Sequence, residues 1–84
     1  MQRKKTKKIK KEEWHLWARY GQGHVQWVTT KKIVDDDTAK VWAQKELEKL
    51  MKSYKISECY ISTGTGESYR TIKLYKNFYW IKHK

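Results

Sequence analysis

The chain has 84 residues, a formal net charge of +11 at pH 7 and a single cysteine, Cys59. This length predicts one domain, a single cysteine excludes an internal disulfide, and no apolar run approaches the ~20 residues that a membrane-spanning helix needs. We therefore expect an intracellular protein, of the cytoplasm or nucleoid, whose charge favours a polyanionic partner.

The N-terminal segment is the most basic part of the chain. Residues 1–11 carry +7 of the +11 net charge and contain no acidic residue. This composition predicts a disordered arm, which serves either to neutralise phosphates or only as a solubilising tail. We assign residues 12–84 to one compact domain. The candidate phosphate-binding residues of the arm are Arg3, Lys4, Lys5, Lys7, Lys8, Lys10 and Lys11.

Two strands joined by a tight turn are predicted after the arm. Apolar residues alternate with others from Trp14 to Tyr20, in the period-two pattern of a half-buried strand. Gly21-Gln22-Gly23 predicts the turn of a hairpin, and alternation resumes over residues 24–30. The residues of this hairpin expected to face the core are Trp14, Leu16, Ala18, Val25 and Trp27.

An amphipathic helix is the clearest element of the sequence. Asp35 suits an N-cap, and Asp36 and Asp37 follow in the first turn, where negative charge is favoured by the helix dipole. The acidic cluster therefore predicts the start of a helix rather than a metal site. The apolar stripe expected at helical spacing is Ala39, Ala43, Leu47, Leu50, Met51 and Tyr54.

Two or three further strands are predicted after the helix. Alternating sequence on both sides of Gly64-Thr65-Gly66 predicts a second hairpin rather than a phosphate loop, because the Gly-Lys-Ser/Thr ending of such a loop is missing. Lys76-Asn77 predicts a two-residue turn into a last strand, with Leu74 opposite Tyr79. The fold class is thus α+β: a single antiparallel sheet of four to five strands packed on one helix, in the order ββαββ or ββαβββ.

One helix covers one face of such a sheet, so we expect the other, the open face, to be accessible. Its predicted residues combine rings with cations, as single-stranded nucleic acid requires, because bases stack on rings and cations follow phosphates. A register error of one residue would exchange the two faces. The candidate nucleic-acid-binding residues of the open face are Trp17, Arg19, Tyr69, Lys73, Tyr75, Trp80 and Lys82. His15, Gln26, Val28, Tyr60 and Phe78 are predicted to share it.

No combination of residues predicts catalysis or a cofactor. The histidines His15, His24 and His83 and the lone Cys59 lack the spacing of metal ligands. We therefore predict a non-enzymatic DNA- or RNA-binding protein that uses the arm and the open face. The alternative is a protein-interaction module or inhibitor, of viral or mobile-element origin, that docks on a larger acidic protein through the same face. A homodimer interface on that face is a further alternative.

The predicted strand pair followed by Asp37-Thr38-Ala39-Lys40-Val41-Trp42-Ala43 resembles the arm-type DNA-binding domains at the front of phage-type integrases. The resemblance extends from Trp14 to Leu50, under half of the chain, and implies DNA binding. The strands predicted after the helix depart from that pattern.

Overall fold

A computed structural model describes residues 11–75 and 79–83 of the protein, with side chains as far as Ile81. The arm over residues 1–10, the turn at Lys76-Asn77, and Phe78 lie outside the described residues. Within them the predicted α+β class and the order ββαβββ are confirmed. The elements are β1 (Glu12–Tyr20), β2 (Val25–Ile33), α1 (Asp36–Met51), β3 (Ile56–Thr63), β4 (Arg70–Leu74) and β5 (Trp80–His83), with a 3-10 turn at Gly66–Ser68 between β3 and β4.

The described strands form one antiparallel sheet in the order β2-β1-β3-β4-β5. β1 lies between its hairpin partner β2 and β3, to which the chain returns after the helix. α1 therefore crosses one face of the sheet, where it packs against β2 and β3. The opposite face is the one that the sequence predicts to be open.

The start of α1 is fixed by Asp35, as predicted. The backbone of Asp35 is extended, and its carboxylate accepts a hydrogen bond from the amide of Thr38 at 2.7 Å. This bond satisfies an amide that the first helical turn leaves unpaired, and it lowers the pKa of Asp35. The helix ends at Met51, so Tyr54 lies beyond it, and its ring meets Tyr20 edge-on at 5.2 Å between centroids. The buried residues of the helix are Ala39, Ala43 and Leu47.

The core lies between α1 and the central strands. β1 alternates as predicted, with every second residue from Trp14 to Ala18 buried. Because directly paired residues in an antiparallel sheet point to the same face, the buried residues of β3 and β4 lie beside those of β1. The buried residues of β3 and β4 that were predicted to face the core are Cys59, Ile61, Ile72 and Leu74.

A β-bulge in β2 places part of that strand with its side chains on the face opposite to the predicted one. Leu16 pairs with Thr29 but Trp17 pairs with Trp27, so Val28 is an extra residue on β2. Residues before the bulge therefore point to the face opposite to the predicted one. Val25 and Trp27, predicted in the core, are instead 41% and 57% exposed. Conversely, the residues wrongly predicted on the open face are Gln26, which pairs with Ala18, and Val28, which packs against the core.

The last strand is also shifted by one residue from its predicted register. Leu74 pairs with Trp80, not with Tyr79, because the connection between the strands is one residue longer than predicted. Trp80 consequently packs against the core, and its predicted position on the open face is wrong. The same shift in register extends to Lys82, whose backbone pairs with that of the buried Ile72.

Candidate nucleic-acid interface

A row of aromatic side chains crosses the open face at right angles to the strands. Trp17 pairs with Trp27 on one side and with Tyr60 on the other, and Tyr60 pairs with Lys73. Neighbouring strands lie about 4.8 Å apart, so three ring-bearing positions span about 10 Å and end at a lysine. We call these four residues, Trp27, Trp17, Tyr60 and Lys73, the aromatic row.

The lysine at the end of the row is held between two rings. The Lys73 ammonium nitrogen lies 5.6 Å from the centroid of the Tyr60 ring and 5.7 Å from that of Tyr75. Both distances are within the range of a cation–π interaction. Tyr75, the residue that follows β4, is 50% exposed and adds a further ring beside the row. Aromatic and cationic groups are therefore interleaved here, as the sequence predicts.

The N–H and O–H groups of the rings donate hydrogen bonds to other side chains of the sheet. The indole N–H of Trp17 donates to the hydroxyl of the buried Ser62 at 3.0 Å, and that of Trp27 donates to Thr30 at 2.9 Å. The Tyr60 hydroxyl donates to Glu58 at 2.9 Å. These bonds fix the side chains before any ligand arrives, so a ligand would have little ordering cost to meet.

A carboxylate lies among these rings and cations. Glu58 pairs with Arg19 across β1 and β3, and their side chains approach to 3.4 Å between Nη1 and Oε2. Arg19 also donates from Nε to the Gly23 carbonyl at 2.9 Å, which anchors it to the β1–β2 turn. The pKa of Tyr60 is raised, first by burial and then by its hydrogen bond to Glu58. The phenol therefore stays protonated and remains a donor to the carboxylate.

Four of the predicted site residues come together on the open face: Trp17, Arg19, Lys73 and Tyr75. Tyr69 is exposed but precedes β4, six positions and hence about 20 Å from Tyr75 along the strand. Lys11, the described end of the arm, is exposed next to the start of β1 and is separated from Trp17 by a similar distance. Trp80 lies on the other face. Trp27, which the sequence predicts in the core, lies on the open face instead.

Arg70, a basic residue near the C-terminal end, lies on the helix side and is neutralised. Its Nη2 lies 2.8 Å from Glu12 and 2.9 Å from Asp36, and its Cζ is 5.3 Å from the centroid of the Trp14 ring. These hydrogen bonds raise the pKa of Arg70. The side chain thus ties the start of β1 to the start of α1, which makes it a structural residue rather than part of the cationic surface.

The described residues show few other features that suggest a function. Burial raises the pKa of the Cys59 thiol to about 12, as expected of an inert core cysteine. Within residues 11–75 and 79–83, no group of three or more His, Cys, Asp or Glu side chains is placed to hold a metal ion. In the same part of the chain, no helix is long and apolar enough to span a membrane. Comparisons with protein-family models, with curated proteins and with solved structures find no match to this chain.

Proposed function

We propose that the protein binds single-stranded nucleic acid on its open face and does not act as an enzyme. The aromatic row with its terminal lysine is the observation that supports this proposal. Each base stacked on an aromatic side chain contributes about 1–3 kcal/mol, and every base has a π-face, so such a row accepts many sequences. A duplex keeps its bases stacked inside, which makes a single strand the better ligand.

The cations supply the second part of the interaction. Lys73 flanks the rings, where its ammonium group can follow the phosphates of a strand stacked across the sheet. The ten residues before Lys11 span at most about 33–36 Å when extended, which exceeds the ~20 Å from Lys11 to Trp17. The arm is therefore long enough to add phosphate contacts to the same strand. Binding of this kind weakens steeply as salt rises, because neutralised phosphates release their counterions.

A matched pair of tyrosine variants tests the role of the rings. Tyr75 on the open face and Tyr54 after α1 are similarly exposed, at 50% and 56%. Tyr75→Ala should weaken binding of a fluorescent single-stranded oligonucleotide about tenfold in an anisotropy titration, whereas Tyr54→Ala should change it less than about twofold. Equal effects of the two substitutions would contradict the proposal.

A matched pair of lysine variants tests the placement of the charge. Lys73→Gln and Lys45→Gln remove the same charge, but Lys45 is exposed on α1, on the other side of the sheet. The plot of log affinity against log salt has a negative slope, and only Lys73→Gln should make it less steep, by about 0.7 if one phosphate contact is lost. If both variants reduce the steepness equally, binding depends on the overall positive charge of the protein rather than on the cations of the open face.

Docking on an acidic protein through the open face is the second candidate function. The apolar residues Val25 and Ile81, both exposed, lie at the two margins of this face and favour a protein surface over a nucleic acid there. A pull-down from nuclease-treated lysate distinguishes the two. Under the protein-docking hypothesis one stoichiometric partner is retained by wild type and lost with Tyr75→Ala.

A further inference from the structure

The carboxylate of Glu58 is an unusual group to find on a surface that binds phosphates. Its neighbours on the open face are Arg19 across the sheet and Tyr60 two residues along β3. The side chain is 27% exposed and can therefore reach a ligand. A phosphate placed next to it would be repelled, so the part of a bound strand that lies here must be a base.

Glu58 has hydrogen-bonding capacity to spare. A carboxylate offers about four acceptor positions, two on each oxygen. Tyr60 donates to Oε1 at 2.9 Å, and Arg19 approaches Oε2 at 3.4 Å, so each oxygen keeps one acceptor position. Arg19 is held by the Gly23 carbonyl and the Tyr60 ring contacts Lys73, so the two groups that bind Glu58 restrict the orientation of its carboxylate. The two oxygens of that carboxylate are adjacent acceptors.

Two adjacent acceptors select among the four bases. The Watson–Crick edge of guanine carries two adjacent donors, the ring N1–H and the exocyclic amino group, which match a carboxylate with two parallel hydrogen bonds. Cytosine and adenine present one amino donor next to a ring nitrogen acceptor, and thymine or uracil presents one N–H between two carbonyls. In each of these bases, one carboxylate oxygen would meet another acceptor.

We propose that Glu58 reads guanine in a single strand bound on the open face, by accepting hydrogen bonds from its N1–H and amino group. This inference rests on the proposed function and adds a base preference to it. A bidentate contact between a side chain and a base discriminates by a factor of about ten or more. Stacking on the aromatic row would provide affinity for any base, and Glu58 would provide the selection.

The preference can be tested first on the unaltered protein. Its affinity is measured for an oligothymidylate of about nine nucleotides and for the same strand with one central guanine or one central inosine. Guanine should bind about tenfold more tightly than thymine, and inosine, which lacks the amino group, should lose most of that gain. Equal affinity for the guanine and thymine strands would overturn this inference while leaving the proposed function intact. No binding to any strand would overturn both.

A matched pair of glutamate variants then identifies the reading group. Glu58→Gln replaces one acceptor oxygen by a donor amide, and Glu48→Gln makes the same charge change at an exposed position of α1. Glu58→Gln should bring the guanine and thymine strands to within about twofold, whereas Glu48→Gln should keep the roughly tenfold difference. Melting curves of both variants check that they are folded. A guanine preference that survives Glu58→Gln would refute the assignment.

Discussion

Gly64 lies at the end of β3, where the loop to β4 leaves no space for a side chain. Its φ is +84°, and a Cβ atom there would lie 2.6 Å from the carbonyl carbon of Ser68 and 2.9 Å from the Ser68 Oγ. Gly66 also has a positive φ, +53°, but a Cβ atom on it would meet nothing within 4 Å. Alanine substitutions at the two glycines therefore separate the cost of the backbone conformation from the cost of the clash.

The expected difference follows from these distances. Both substitutions place alanine in the left-handed region, at about 1–2 kcal/mol, and both recover about 0.4–1 kcal/mol because alanine restricts the unfolded chain. Only Gly64→Ala also forces the Ser68 backbone to move, and such overpacking costs about 1–3 kcal/mol. Gly64→Ala should therefore lower the free energy of unfolding by about 2 kcal/mol more than Gly66→Ala, or about 8–16 °C in Tm for a chain of this length.

Thermal unfolding followed by tryptophan fluorescence measures this difference. The loop determines how β4 aligns with β3, and thereby places Lys73 beside Tyr60 in the aromatic row. If Gly64→Ala and Gly66→Ala lower Tm equally, the Ser68 carbonyl does not lie over Gly64, and the geometry assigned to this loop is wrong.

Two further predictions concern groups outside the open face. Asp35→Ala should have a lower free energy of unfolding than wild type near neutral pH. This difference in stability should become smaller as the pH falls through the lowered pKa of Asp35. The reason is that the charged carboxylate stabilises the fold at pH values above its unfolded-state pKa, near 3.8, and loses this contribution when it is protonated. Urea unfolding near pH 7 and near pH 2 measures this difference in stability. Asp35→Asn, which keeps a capping oxygen, is the control and should lose less stability than Asp35→Ala. A difference between wild type and Asp35→Ala that stays constant with pH would contradict the assigned cap. Cys59 is buried, with its pKa raised to about 12, so it should react with an aromatic disulfide reagent near pH 8 only when urea unfolds the chain. If the native protein is labelled as fast as an unfolded thiol, Cys59 is not buried in the core.

Much of the fold could be predicted from periodicity because its signals are local. The alternation around Trp14 and Leu16 identifies β1 and its buried face, and Asp35 identifies the start of α1. Both features depend on side chains within a few residues of each other, which a sequence shows directly. The order of the strands in the sheet depends on pairings between residues far apart in the chain, which periodicity does not predict.

The two errors that affect the open face have a common origin. The bulge at Val28 and the longer connection before Trp80 each insert one residue into a strand pairing. Because side chains alternate with a period of two, one inserted residue moves the side chains on one side of it to the opposite face. Trp27 therefore joins the open face and Trp80 leaves it. Neither insertion is marked by a glycine or proline, so the sequence carried no signal for it.

The five tryptophans can report whether single-stranded nucleic acid binds on the open face, as we propose. Of the five, Trp17 and Trp27 lie on that face, Trp42 and Trp80 pack from the other side, and Trp14 is buried. Their indole N–H resonances can be followed by NMR while a short oligothymidylate is added. Binding on the open face should shift the resonances of Trp17 and Trp27 and leave those of Trp42 and Trp80 unchanged. Shifts confined to Trp42 and Trp80, or none for any tryptophan at saturating ligand, would contradict it.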